Sequence, residues 1–216
     1  MSDKLEREAI RELRRSYGDV GLAQFPADPF ELFHAWLKDG LTNPLIVEAN
    51  AMVLSTVDEN QPVSRTVLLK DADNSFTFFT NYNSRKASEI SKNEHVSLLF
   101  PWYAMERQVI VLGQASKVSA QVSNEYFQTR PWGSQIGAWS SEQSQDLESR
   151  EALETRFKDF ATKYPEGTTV PTPPHWGGYE VIPTSIEFWQ GRYSRLHDRV
   201  RYTAHSNGWN VKRVNP

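Results

Sequence analysis

The residues with the most capacity for chemistry in this 216-residue chain are cations, gathered in four short clusters. Ser84-Arg85-Lys86 reads as a helix start, where free backbone N–H groups, the helix dipole and two side-chain charges converge on one place and make an anion site. Arg65-Thr-Val-Leu-Leu-Lys70 puts a cation at each end of an apolar strand, an arrangement equally open to side chains that simply reach solvent. In Tyr126-Phe-Gln-Thr-Arg130-Pro-Trp-Gly-Ser134 a phenol and a guanidinium stand four apart, on one face of a helix, and a hydroxyl follows a turn. Those three groups form a phosphate grip. In Trp189-Gln-Gly-Arg-Tyr-Ser-Arg195-Leu-His197-Asp-Arg199 the period-two spacing places Arg195, His197 and Arg199 on one strand face. Three potential cations there repel unless an anionic or electron-rich ligand joins them.

Other chemistries are excluded or unsupported. No cysteine is present, which removes thiolate nucleophiles, disulfides and cysteine-based metal sites together. The glycine-rich nucleotide loops, the G-x-S-x-G elbow and H-E-x-x-H are absent. The five histidines lack metal-ligand spacing, and adjacent His197 and Asp198 would point to opposite faces of a strand. A net charge of −3 offers no global attraction for nucleic acid or an anionic membrane, so any bound anion must be met locally. The charged N-terminus shows no signal-peptide pattern and no apolar run is long enough to span a bilayer, so the expected location is cytoplasmic.

These clusters need elements to hold them. Residues 3–15, dense in alternating charges, predict a solvated helix. Asp28-Pro29 predicts the start of an amphipathic helix that turns Phe30, Phe33, Trp36 and Leu37 to the core. A hairpin follows, with strands over 51–57 and 63–70, then strands over 75–80, 95–100 and 107–113 in an antiparallel meander, with a short helix capped by Ser84. Helical patterns return around 124–128 and over 148–164, with a polar loop at 140–145 between them. Two strands at 179–182 and 185–189 and a hairpin about Asn207-Gly208 complete the pattern. The fold class is mainly β with flanking helices, a closed or nearly closed antiparallel barrel. Residues 1–25 form a helical segment able to cover a site, and 26–216 form the barrel domain with its C-terminal hairpin.

In order, R-T-V-L-L-K, T-N-x-x-S-R-K, S-L-L-F-P-W, E-R-Q-V, R-P-x-x-S-Q-I-G-A-W, the Gln143-Ser144 pair, W-G-G-Y and E-F-W-Q-G-x-x-x-R-L-H-D-R resemble the pyridoxine 5'-phosphate oxidase family from about Pro26 to the C-terminus. The resemblance implies an FMN-binding split barrel and a homodimer with FMN in clefts between subunits. It implies FMN contacts from Arg65, Thr66, Val67, Leu68, Leu69 and Lys70, from Phe79, Thr80, Arg85 and Lys86, and from Gln108, Gln143, Ser144, Trp189 and Arg199. It implies substrate contacts from Lys70, Tyr126, Arg130, Ser134, Arg195 and His197, with Arg14 and Tyr17 arriving from the N-terminal segment, and catalytic roles for Arg195 and His197. The implied reaction is oxidation of pyridoxine 5'-phosphate and pyridoxamine 5'-phosphate by dioxygen to pyridoxal 5'-phosphate. Phe79 departs from the pattern, which often has Tyr there, and the match before Pro26 is looser. A flavin reductase or electron carrier would keep the cofactor cradle but lack the Tyr126, Arg130, Ser134, Arg195 and His197 set. A non-catalytic carrier of flavin or vitamin phosphate would bind without consuming oxygen.

Overall fold

The computed structural model describes residues 7–13 and 15–216. Of the expected N-terminal helix it contains α1 (Arg7–Glu12), with Ile10 exposed. The second helix, α2 (Pro29–Thr42), begins where its cap predicts. The Asp28 carboxylate accepts from the Phe30 N–H at 2.9 Å, and Pro29 sacrifices only an N–H that the first turn leaves unpaired. Its apolar side packs on strands: Phe33 meets Phe76 and Phe100 edge-on at 5.0 and 4.9 Å, and Trp36 meets Phe188 at 5.2 Å. Such aromatic pairs add directionality to ordinary apolar burial.

Strands β1 (Ala51–Asp58) and β2 (Gln61–Leu68) form the expected hairpin, closed at Glu59, whose φ is 55°. β2 starts and stops two residues earlier than the sequence suggests, so Lys70 leaves the ladder. Next come β3 (Phe76–Asn81), α3 (Arg85–Lys92), β4 (His95–Trp102) and β5 (Arg107–Lys117). The helices α4 (Ala120–Thr129), α5 (Trp132–Ser140) and α6 (Arg150–Lys163) follow, then β6 (Trp176–Gln190), β7 (Asp198–His205) and β8 (Gly208–Val214).

The strand order is β2-β1-β4-β5-β6-β7-β8, and β3 pairs with β6. The simple meander is therefore wrong. β3 is buried at every position but Phe79, so it needs cover on both faces, and it finds its partner about a hundred residues away in β6. Two separate strands were expected over 179–189. They are one, because Pro183 lies at the register shift between Leu112 and Gly113, where the ladder is already interrupted. Helix α5 was not anticipated at all. The main core fills the barrel, and a smaller one, with Phe127, Ile136, Val170 and Trp176, lies under α4 to α6. No helix among the described residues is long and apolar enough to cross a membrane.

Helix α3 is fastened to the barrel by Glu89, whose side chain is 2% exposed. Its carboxylate accepts from Thr56 Oγ1 at 2.5 Å, Arg65 Nη2 at 2.6 Å and Arg85 Nε at 2.8 Å. Burial alone would raise the Glu89 pKa, but these donors outweigh it and hold the pKa below the usual carboxylate value. A depressed folded pKa stabilises above the unfolded value, about 4.3, and that stability is lost as pH falls through the folded pKa. Glu89→Ala is expected to lower the unfolding free energy at pH 7 by about 2 kcal/mol, because Arg65 loses its buried partner. Urea titrations should show the gap between the two proteins narrowing in acid; a gap constant down to pH 3 would contradict this account.

Candidate functional site

Two clefts collect most of the residues that the sequence singles out. The first, about 630 Å³, is lined by Thr66, Val67 and Leu68 from the end of β2, by Lys70 just after it, and by Phe79, Thr80 and Lys86 from β3 and α3. Tyr126, Arg130 and Ser134 form its opposite side, with Gln143 and Trp176. Lys86 of one cationic cluster and the Tyr126, Arg130 and Ser134 group thus open on one space.

Lys86 is buried at the start of α3. Its ammonium donates to Gln143 Oε1 at 3.0 Å, Thr80 Oγ1 at 3.1 Å and Ser84 Oγ at 3.4 Å, all neutral acceptors. Burial lowers its pKa, and the nearby Arg65 charge adds to the effect against Glu89. Ser84 occupies the N-cap position, but its hydroxyl serves Lys86 and makes no cap bond. The first-turn N–H groups that a capping hydroxyl would satisfy are left to other acceptors.

The other side of the cleft is aromatic. Phe79 and Tyr126 stack at 4.1 Å and 23°, and Phe79 and Trp176 at 5.4 Å and 12°. Phe79 therefore supplies a ring face, as its lack of a hydroxyl requires. The expectation that Tyr126 and Arg130 share a helix face needs correction. Arg130 is the extended C-cap of α4, with ψ of 145°, because Pro131 disfavours helical backbone before it. This break turns the guanidinium over Trp176, 4.8 Å from the ring centre. Its Nη1 is buried with no hydrogen-bond partner among the described residues, and burial lowers its pKa, with Tyr126 opposing the shift. Ser134 lies in the first turn of α5, and Lys70 Nζ stands 5.9 Å above the Tyr126 ring.

The second cleft, about 560 Å³, is lined by Tyr17, Trp189, Arg192, Arg195 and His197 among others. Here the strand-face reading fails. Tyr193–Arg195 is a 3-10 turn in which Ser194 and Arg195 have φ of 54° and 61°, and β7 begins only at Asp198. That turn resets the side-chain period, so Arg195 and His197 face the cleft while Arg199 turns to Glu187, at 2.7 Å. The Arg192 N–H donates to His197 Nδ1 at 3.0 Å, so the neutral ring carries its proton on Nε2. Burial first, and the Arg195 charge second, lower the His197 pKa and favour that neutral form. Trp189 lies 4.7 Å from His197, ring to ring.

Several expected contacts lie apart from the clefts. Arg65 and Arg85 are engaged by Glu89, and Leu69 packs in the core. Gln108 pairs with Trp189 across the ladder, and Ser144 is exposed with φ of 72°. Arg14 falls outside the described residues. Sequence reasoning missed Trp176 as a wall and Glu89 as an anchor. The second was findable, because Arg85 and Glu89 stand four apart on a helix.

The clefts share no lining residue. Trp176 and Trp189 mark opposite ends of β6, and thirteen strand positions correspond to roughly 40 Å of chain.

The rolled antiparallel sheet with a cationic, aromatic-walled cleft defines a split-barrel protein suited to flat anionic ligands. The chain belongs to the pyridoxamine 5'-phosphate oxidase family of oxidoreductases: that family's model matches residues 41–164, and the pyridoxine 5'-phosphate oxidase C-terminal dimerisation region matches 176–216. Pyridoxine/pyridoxamine 5'-phosphate oxidases of Streptomyces avermitilis and Nostoc punctiforme are 46% and 49% identical to it, covering 96% and 97% of this chain and 95% and 99% of theirs. PhzG of Burkholderia lata, solved with tetrahydrophenazine-1-carboxylic acid, superposes with a TM-score of 0.82 at 27% identity, over 88% of this chain and 94% of that one. An FMN-binding protein of Nostoc punctiforme related to pyridoxamine 5'-phosphate oxidase shares the fold, with a TM-score of 0.71 at 16% identity over 89% of this chain and 100% of its own.

Proposed function

We propose that this chain, as a homodimer holding FMN, oxidises pyridoxine 5'-phosphate and pyridoxamine 5'-phosphate to pyridoxal 5'-phosphate. The observation that carries the reading is that one cleft contains two buried or half-buried cations with no carboxylate partner among the described residues, Lys86 and Arg130, on different walls. Each phosphate monoester brings a charge of roughly −1.5 to −2 near neutral pH, so a phosphorylated cofactor and a phosphorylated substrate match that pair.

The residues present fit FMN. Lys86, Thr80 and Gln143 supply polar contacts at the foot of the cleft, the strand Thr66–Leu68 forms its rim, and Arg65 and Arg85 stand behind at the α3 start. When bound, the flavin supplies a hydride acceptor for the substrate's 4' carbon and returns the electrons to dioxygen as hydrogen peroxide. Lys70, Tyr126, Arg130 and Ser134 hold the substrate phosphate, the guanidinium through charge-assisted bonds that satisfy its orphaned donor. Arg195 and His197 orient the pyridine ring, with the His197 Nε2–H as donor. Oxidation of the amine leaves an imine, whose hydrolysis releases ammonia.

Because the phosphate grip and the Arg195–His197 pair lie at opposite ends of β6, one substrate reaches both only if two subunits each contribute one set. The family's C-terminal dimerisation region, over 176–216, includes the Arg195–His197 segment. The described part of the N-terminal segment acts as a cover for that site through Tyr17, whose ring stands edge-on to His197.

Aerobic oxygen uptake tests the reading. The FMN-loaded protein should consume oxygen with either phosphorylated vitamer and form pyridoxal 5'-phosphate. Uptake with neither, from protein that binds FMN, would leave the carrier or reductase alternatives.

A further inference from the structure

The segment Tyr17–Leu22 forms neither helix nor strand, yet backbone and side-chain bonds hold it on the C-terminal elements. The Gly18 N–H donates to Glu106 Oε2 at 2.9 Å, and the Tyr193 N–H donates to Gly18 O at 3.2 Å. The Leu22 N–H donates to Asp198 Oδ2 at 2.9 Å, and Arg213 Nη2 donates to Leu22 O at 2.6 Å. Between these anchors Arg192 reaches both partners: Nη2 lies 2.9 Å from Asp19 Oδ1 on the segment, and Nη1 lies 3.7 Å from Asp198 Oδ2 on β7. A Cβ at Gly21 would stand 2.9 Å from Asp198 Oδ2 and 3.3 Å from Arg192 Nη1, so a side chain there would press on both ends of that ion pair.

The consequence is felt at the second cleft. Held this way, the segment sets the Tyr17 ring edge-on to His197 at 5.5 Å and to Trp189 at 5.7 Å. The Arg192 backbone meanwhile fixes the His197 tautomer. We propose that Arg192 is a positioning residue for the oxidation, latching the Tyr17–Leu22 strap so that Tyr17 closes the pocket around the substrate's ring. The inference rests on the oxidase reading and extends it to a residue whose two terminal guanidinium nitrogens each face a carboxylate rather than substrate. The strap stabilises bound substrate and takes no part in bond breaking, so loosening it raises KM and spares kcat.

The test compares the FMN-loaded protein with its Arg192→Ala, Arg192→Lys and Gly21→Ala variants, by steady-state kinetics with pyridoxine 5'-phosphate and by amide hydrogen exchange. Arg192→Ala should raise KM about fivefold with kcat nearly unchanged, and speed exchange at the Gly18 and Leu22 amides by a similar factor, as loss of a partly exposed ion-pair latch implies. Arg192→Lys should restore most of both effects, since the charge remains. Gly21→Ala, which removes no charge, should shift both readouts in the same direction as Arg192→Ala. Unchanged exchange in Arg192→Ala would overturn the latch, and faster exchange with unaltered KM would overturn its positioning role. Lack of oxidation by the parent protein would sink the oxidase reading separately, and the exchange data would still decide whether the latch exists.

Discussion

Replacing Arg195 with alanine is expected to lower kcat with pyridoxine 5'-phosphate by about 100-fold or more, the scale of losing a preorganised charge at a reacting centre, while FMN remains bound. The structural grounds are specific. Ser194 and Arg195 adopt left-handed φ in succession, a conformation costing roughly 1 kcal/mol or more per non-glycine residue and maintained only where surroundings enforce it. The turn they make delivers the Arg195 side chain to the cleft beside His197. Arg195 is exposed and joins no ion pair among the described residues, so its charge is free for a ligand. Arg195→Lys should recover part of the rate, since a point charge replaces some of the field but not the planar fork. Anaerobic single-turnover reduction of the bound flavin measures the step directly. Unchanged reduction in Arg195→Ala would remove this residue from the site.

The second large effect is expected at Arg130. Arg130→Ala should raise KM for pyridoxine 5'-phosphate about 10- to 100-fold, the equivalent of losing charge-assisted hydrogen bonds to a phosphate, with a smaller change in kcat. A control accompanies it. Nη1 is a buried donor with no hydrogen-bond partner among the described residues, which burdens the fold until an acceptor arrives. Removing the guanidinium should therefore leave thermal stability without substrate unchanged or slightly higher, despite loss of the contact with Trp176. A KM within a factor of two of the parent value would refute the phosphate role. A large fall in Tm would show that Arg130 serves the α4–α5 junction instead.

Features written in adjacent residues were legible without the fold. Asp28-Pro29 specifies its helix start because cap chemistry is local, and Asn207-Gly208 specifies a hairpin because Gly208, at φ 135°, suits a tight turn. The four cationic clusters were equally visible as clusters. Their geometry was not. Period-two spacing places Arg195, His197 and Arg199 on one face only if the backbone is a strand, and two left-handed residues undo that premise. The four-residue spacing of Tyr126 and Arg130 assumes a helix that ends before Arg130.

Taken alone, the sequence determined the strand-rich class, the principal caps and turns, the cationic clusters and the family, each carried by neighbouring residues or by motif order. Only the tertiary structure decided which clusters meet. Pairing of β3 with β6 sets Phe79 beside Trp176, whereas the length of β6 keeps Trp176 far from Trp189 and divides the segment around Arg195 from the Tyr126, Arg130 and Ser134 group. It also decided which cations are engaged, since Arg65, Arg85 and Arg199 pair with Glu89 and Glu187 while Arg130 keeps a donor unpaired among the described residues. Strand partners and buried ion pairs are chosen by contacts between residues distant in the chain, and spacing along one segment carries no record of them.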